Sequence, residues 1–172
     1  MTYTTNDQFA ATFKYTVKTE SYKFNDKELS SITEHAYVLY AQPGLNFDKT
    51  LVSAGNFENA MVAIIEMSKQ GYTPAEGRRP LHSGPNYAFY MLKPHSLQNE
   101  DKENIKKLVM DNYLSAVEHN EKAYKAKLKQ DLINAERQKE AEKAAKAQAD
   151  KEAKLQAQAE KQFEELLKEE GI

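Results

Sequence analysis

The chain has 172 residues, no cysteine, 24 Lys and Arg against 26 Asp and Glu, and a mean hydropathy of -0.79. The missing cysteines exclude disulfides, thiolate zinc sites and thiol catalysis together. The near-neutral balance withholds the basic footprint that gives nucleic-acid binders most of their affinity.

Residues 1–95 carry 9 cationic and 9 anionic side chains and nearly all the aromatic and β-branched residues, whereas 134–154 carry no apolar side chain larger than alanine. A hydrophobic core is therefore expected only in the first part. No apolar run approaches the ~20 residues that span a bilayer. The first eleven residues lack the basic and apolar regions of a secretory signal. The expectation is a cytoplasmic protein without membrane association.

Residues 1–10 are polar and read as loose. Phe13, Tyr15 and Val17 then alternate with Thr12, Lys14, Thr16 and Lys18, the period-two pattern of a half-buried strand. Asn25-Asp26-Lys27 reads as a turn. The apolar run His35 to Ala41 lacks clean alternation and is expected as a central strand, ended by Pro43-Gly44. Asn56 is a good N-cap for a helix over 57–70. Phe57, Ala60, Met61, Ile64 and Ile65 fall there at helical spacing, and Phe57, Met61, Ile64 and Ile65 are expected to face the sheet. Gly71 is placed to close this helix. Thr73 to Pro85 holds three prolines and two glycines and is expected to be irregular. Asn86 to Lys93, rich in Tyr and Phe, is the third expected strand, stopped by Pro94.

From Ser96, a candidate cap, to Glu170 there is neither proline nor glycine. One helix on the order of 110 Å is expected at 1.5 Å per residue. Ile105, Leu108, Val109, Leu114, Val117, Tyr124, Leu128 and Leu132 give its first third an apolar face. The middle is Ala, Lys, Glu and Gln, with Glu142–Lys146 and Asp150–Lys154 at the favourable i, i+4 order. Alanines at 141, 145, 149, 153 and 157 step by four and drift around the helix, so no strict heptad specifies a two-stranded coiled coil. Leu155, Ala159, Phe163, Leu166 and Leu167 restore an apolar stripe near the C-terminus. The composition of this tail looks like that of many unrelated helical stalks.

The expected fold class is thus α+β: a small N-terminal antiparallel sheet with one packed helix, followed by a long C-terminal α-helix, stalk-like or coiled-coil-like. The expected organisation is a globular 1–95, an amphipathic 96–133 that packs on it or on a partner, and a charged, solvent-exposed 134–172 with a terminal apolar stripe.

The chemistry-bearing candidates are few. His35, His82, His95 and His119 have no mutual metal-ligand spacing, so no metal and no cofactor is expected. The Ser83-Gly84 pair matches neither a nucleophile elbow nor a phosphate-binding loop, and no catalytic residue is assigned. Arg78 and Arg79 are two of the chain's three arginines. They mark the 73–85 loop as a partner or anion contact, since arginine suits bidentate binding; His82 lies beside them. The expected partner-binding residues are therefore Arg78, Arg79 and His82, with Leu155, Phe163, Leu166 and Leu167 on the helix.

The function these features suggest is a non-enzymatic interaction or assembly protein that binds a protein partner or itself as a homo-oligomer through the C-terminal helix. The alternative is a nucleic-acid-associated module using Arg78, Arg79 and the expected strand tyrosines Tyr15, Tyr37, Tyr40, Tyr87 and Tyr90 as stacking platforms. Small size and a Lys-, Asn- and Tyr-rich usage would suit an accessory protein of a bacterium or bacteriophage.

Overall fold

A computed structural model describes residues 2–171. The fold is α+β, with a small antiparallel sheet at the N-terminal end and a long helix at the C-terminal end. In chain order the elements are β1 (Tyr3–Asp7), α1 (Gln8–Thr12), α2 (Asp26–Tyr40), β2 (Lys49–Ala54), α3 (Phe57–Lys69), β3 (Thr73–Pro74), β4 (Leu81–Ser83), β5 (Asn86–Leu92) and α4 (His95–Glu169). Two units can be separated, Met1–Glu121 and Lys122–Ile172.

In the first unit β5 is the organising strand. It pairs with β2 along one edge and with β3 and β4 along the other, and β1 closes the far side of β2. The register sets Val52 opposite Phe89 and Thr50 opposite Met91, which places these side chains on one face. Helix α3 covers that face, burying Ala63 and Met67 against Val52 and Met91.

Asn56 caps α3 as expected, accepting from Asn59 N at 2.8 Å. Gly71, at φ +90°, ends it. Tyr72 N donates to Met67 O and Gly71 N to Ser68 O, the paired bonds of a Schellman turn, which a glycine at that position makes without strain.

The buried face of α3 differs from the expected one. Ala60, Ala63 and Met67 are buried and Ile64 is partly buried, while Phe57, Met61 and Ile65 are exposed. The sheet supplies the bulk here, in Phe89, Met91 and Val52. Small alanines let the helix backbone approach it, and the larger side chains are turned outward. Phe57 still finds Tyr87, edge to face at 5.9 Å.

The expected strand over 35–41 is instead the C-terminal half of α2. Asn25 is its N-cap, accepting from Lys27 N and Glu28 N, and Asp26 and Glu28 lie in the positively polarised first turn. Leu29, Ile32, Ala36 and Tyr40 form its apolar stripe and join Phe47, Ile105 and Val109 in a second core cluster.

The alternating segment 13–19 is extended, with Phe13, Tyr15 and Val17 turned toward this cluster, but it pairs with no strand. Side-chain amides of α4 take the place of a ladder. Asn112 Nδ2 donates to Tyr15 O at 2.7 Å, and Asn120 Nδ2 donates to Thr19 O at 2.8 Å and Ser21 O at 3.1 Å. Glu28 anchors the same segment, accepting from Thr19 Oγ1 at 2.5 Å and Tyr113 Oη at 2.9 Å. Thr19 and Ser21, then Tyr113, hold its carboxyl below the ordinary carboxylate range.

Each asparagine to alanine change should cost about 1 kcal/mol, the net worth of a typical hydrogen bond. Denaturant midpoints of the single and double variants measure it. A double variant as stable as the parent would show that water replaces these amides freely.

Two stretches expected to be irregular carry strands. The polar Tyr3–Asp7 is an edge strand. Within 73–85, β4 and β5 form a hairpin whose two-residue turn is Gly84-Pro85, with Gly84 at φ +60°. A glycine is suited to that first turn position, so the same residues that argued against regular structure build it.

The second unit, within the described residues, is α4 from Lys122 onward, with Tyr124, Leu128, Leu132 and Ile133 exposed in its first turns and residues 134–154 all exposed.

Candidate functional site

Three places in the molecule hold the residues that carry chemistry or contact. The first is buried and was not legible as a site. Lys93 follows β5, and its side chain is only 2 % exposed. Its ammonium lies 2.6 Å from Asp101 Oδ2 on α4 and 2.7 Å from Asp7 Oδ1 at the end of β1. Tyr40 Oη, from α2, donates to the same Asp101 oxygen at 2.7 Å. Asp7 also caps α1 through Phe9 N, and the Phe9 ring lies 5.4 Å from the Lys93 nitrogen.

This network joins β1, β5, α1, α2 and α4 at one point. The ammonium is shared by two carboxylates, so two of its donors are engaged within the fold. Burial, then the Asp101 hydrogen bond and charge, push the Tyr40 hydroxyl far above the ordinary range, and burial followed by the Glu28 bond raises Tyr113.

An alkaline sensitivity follows. An unfolded chain ionises these tyrosines near pH 10, their ordinary value, while the fold keeps them protonated. The unfolded state then binds fewer protons than the native one, so their contribution is present in full below that pH and is lost as pH rises from it toward the higher folded values. The denaturation midpoint should begin to fall near pH 10, the ordinary value of a tyrosine, and keep falling as pH rises above it. Tyr40→Phe should make the drop shallower; an unchanged slope would contradict the assignment.

The second place is an open groove of ≈ 560 Å³ whose lining includes Thr4, Ser53, Asn59, His82 and Tyr87. His82 packs on Tyr87 with ring centroids 5.7 Å apart. Its neighbour Ser83 is on the same strand, so the two side chains leave opposite faces and form no base–nucleophile pair. Among the described residues, no aspartate, glutamate, lysine or arginine lines the groove.

Arg78 and Arg79 are not among its lining residues, so the structure does not unite them with His82 here. Arg78 donates to the carbonyl of Pro43, and Arg79 is exposed. Of the tyrosines expected on strands, Tyr87 and Tyr90 are there; Tyr37 and Tyr40 are helical and Tyr15 lies in the extended segment. His35, expected on a strand, is on the exposed side of α2.

The third place is the end of α4. Leu155, Phe163 and Leu166 are 64, 63 and 58 % exposed, and Leu167 is half-buried. These residues share one side of a helix otherwise made of Ala, Gln, Lys and Glu. Among the described residues no helix is long and apolar enough to cross a membrane.

No protein-family model matches the chain, and no curated protein or solved structure does so either.

Proposed function

We propose that the chain is a non-enzymatic interaction or assembly protein in which α4, from Lys122 to Glu169, is the docking or oligomerisation element. The observation that supports this is the apolar stripe at Leu155, Phe163 and Leu166, held exposed on a highly charged helix. Large apolar side chains clustered in water mark contact sites more often than they are retained idly. Each contributes ~1.5–3 kcal/mol when buried, so the cluster can offset the entropy lost on association. Among the described residues the buried charged side chains of the first unit, Lys93 and Asp101, are paired with each other, and Lys93 also with the partly exposed Asp7. That arrangement suits a scaffold better than a reaction centre.

The test is the pair Phe163→Asp with Leu167→Asp in the full chain. The expected result is loss of association in light scattering, with the near-ultraviolet dichroism of the first unit unchanged. A variant that keeps the parent's mass and partners would remove the stripe as an interface.

A further inference from the structure

The helix of the second unit has a charge asymmetry matched to its apolar asymmetry. Residues 122–133 hold four lysines against one aspartate, and 155–170 hold five glutamates against two lysines. Each of these charged segments carries exposed leucines or phenylalanine: Leu128 and Leu132 in the basic one, Leu155, Phe163 and Leu166 in the acidic one, all between 48 and 64 % exposed. Between them, 134–154 offers no apolar group larger than an alanine methyl. The described part of this unit is helical nearly to its end, so nothing else within it covers either apolar segment.

We infer that the occupant of both segments is a second copy of the same helix, packed antiparallel about a two-fold axis near residue 145. This rests on the association reading above and specifies its partner and geometry. A parallel pair would set basic segment on basic and acidic on acidic. An antiparallel pair sets each basic segment on the partner's acidic one, and the two-fold axis makes every such contact occur twice.

Centring near residue 145 brings Leu128 opposite Phe163 and Leu132 opposite Ala159. It also places the alanine-rich stretch, including Ala141, Ala145 and Ala149, at the middle, where methyl groups allow close approach. Charge selects the direction; the apolar side chains supply the burial. Because the charges lie in the solvated rim, the association should weaken as salt rises.

The chain lacks cysteine, so single-site spin labelling of the full-length protein is direct. Gln148→Cys and Gln162→Cys place labels on exposed positions near the proposed axis and far from it. In the antiparallel pair the 148 labels lie within about 20 Å of each other, while the 162 labels are roughly 50 Å apart at 1.5 Å per residue. Helical dichroism matching the parent checks that each variant folds. Short distances at both positions mean a parallel pair, which overturns this inference and leaves the association reading standing. A labelled protein without dipolar coupling and with the mass of one chain overturns the inference; sensitivity of partner binding to the Phe163→Asp, Leu167→Asp pair then decides the association reading separately.

Discussion

Replacing Lys93 by methionine is expected to destabilise the first unit by about 3–5 kcal/mol, the range seen when one partner of a buried ion pair is removed. The loss does not measure the worth of the pair. It reflects Asp101, whose side chain is 12 % exposed, left without its cation and holding the Tyr40 hydroxyl bond. The Asp7 arm contributes less, because that carboxylate is 41 % exposed and water can solvate it.

A second variant separates charge from packing. Adding Asp101→Leu to Lys93→Met removes the stranded carboxylate and should recover much of the loss, since apolar replacements of a buried pair are often neutral. Denaturant midpoints of parent, single and double variants give the comparison. A single variant within about 1 kcal/mol of the parent would show that the network is wetter than its geometry indicates.

The second large effect lies in α3, where two residues in the same turn should behave oppositely. Met67 is 3 % exposed and packs beneath the helix with Val52 and Met91. Met67→Ala should cost roughly 2–5 kcal/mol, the transfer of the lost side chain plus the cavity it leaves. Ile65 is 51 % exposed, and Ile65→Ala should fall within about 0.5 kcal/mol of the parent. Reversed magnitudes would mean that α3 is rotated about its axis relative to the packing described here.

That rotation shows where sequence patterning stops. Helix α3 has apolar residues along two neighbouring stripes, and hydropathy favours the one with larger side chains. The choice is made by the sheet, through the bulk of Phe89 and Met91, and no local pattern carries that information. For 13–19 the alternation was legible and its direction toward the core was right. What the pattern could not supply was the partner, because the ladder is replaced by Asn112 and Asn120, about a hundred residues away.

The helical reading of 26–40 was available. Asn25 and Glu28 stand at capping-box spacing, and Leu29, Ile32, Ala36 and Tyr40 follow a helical period; the dense run from Tyr37 to Tyr40 masked it. The edge strand at Tyr3–Asp7 gave little signal, since its threonines are polar on both faces.

The Lys93 network left one trace. Asp101 occupies the row continued by Ile105, Val109, Tyr113 and Val117 in steps of four, all buried. A carboxylate in an apolar row requires a cation or hydrogen-bond donor, but nothing in the sequence indicates that the donor is Lys93 or that Asp7 shares it.

The long helix was legible from the absence of breakers across 75 residues, and so were the positions of its exposed apolar groups. Whether those groups are covered in solution is the question on which the functional proposal depends. Hydrogen–deuterium exchange of the full-length protein across a protein-concentration series addresses it directly. Backbone amides of a solvated terminal helix open and exchange readily; burial of Leu155, Phe163 and Leu166 on association should slow them. Protection of residues 155–169 that rises with protein concentration is the expected result. Equal exchange at every concentration, with light scattering giving the mass of a single 19.6 kDa chain throughout, would contradict self-association through this helix.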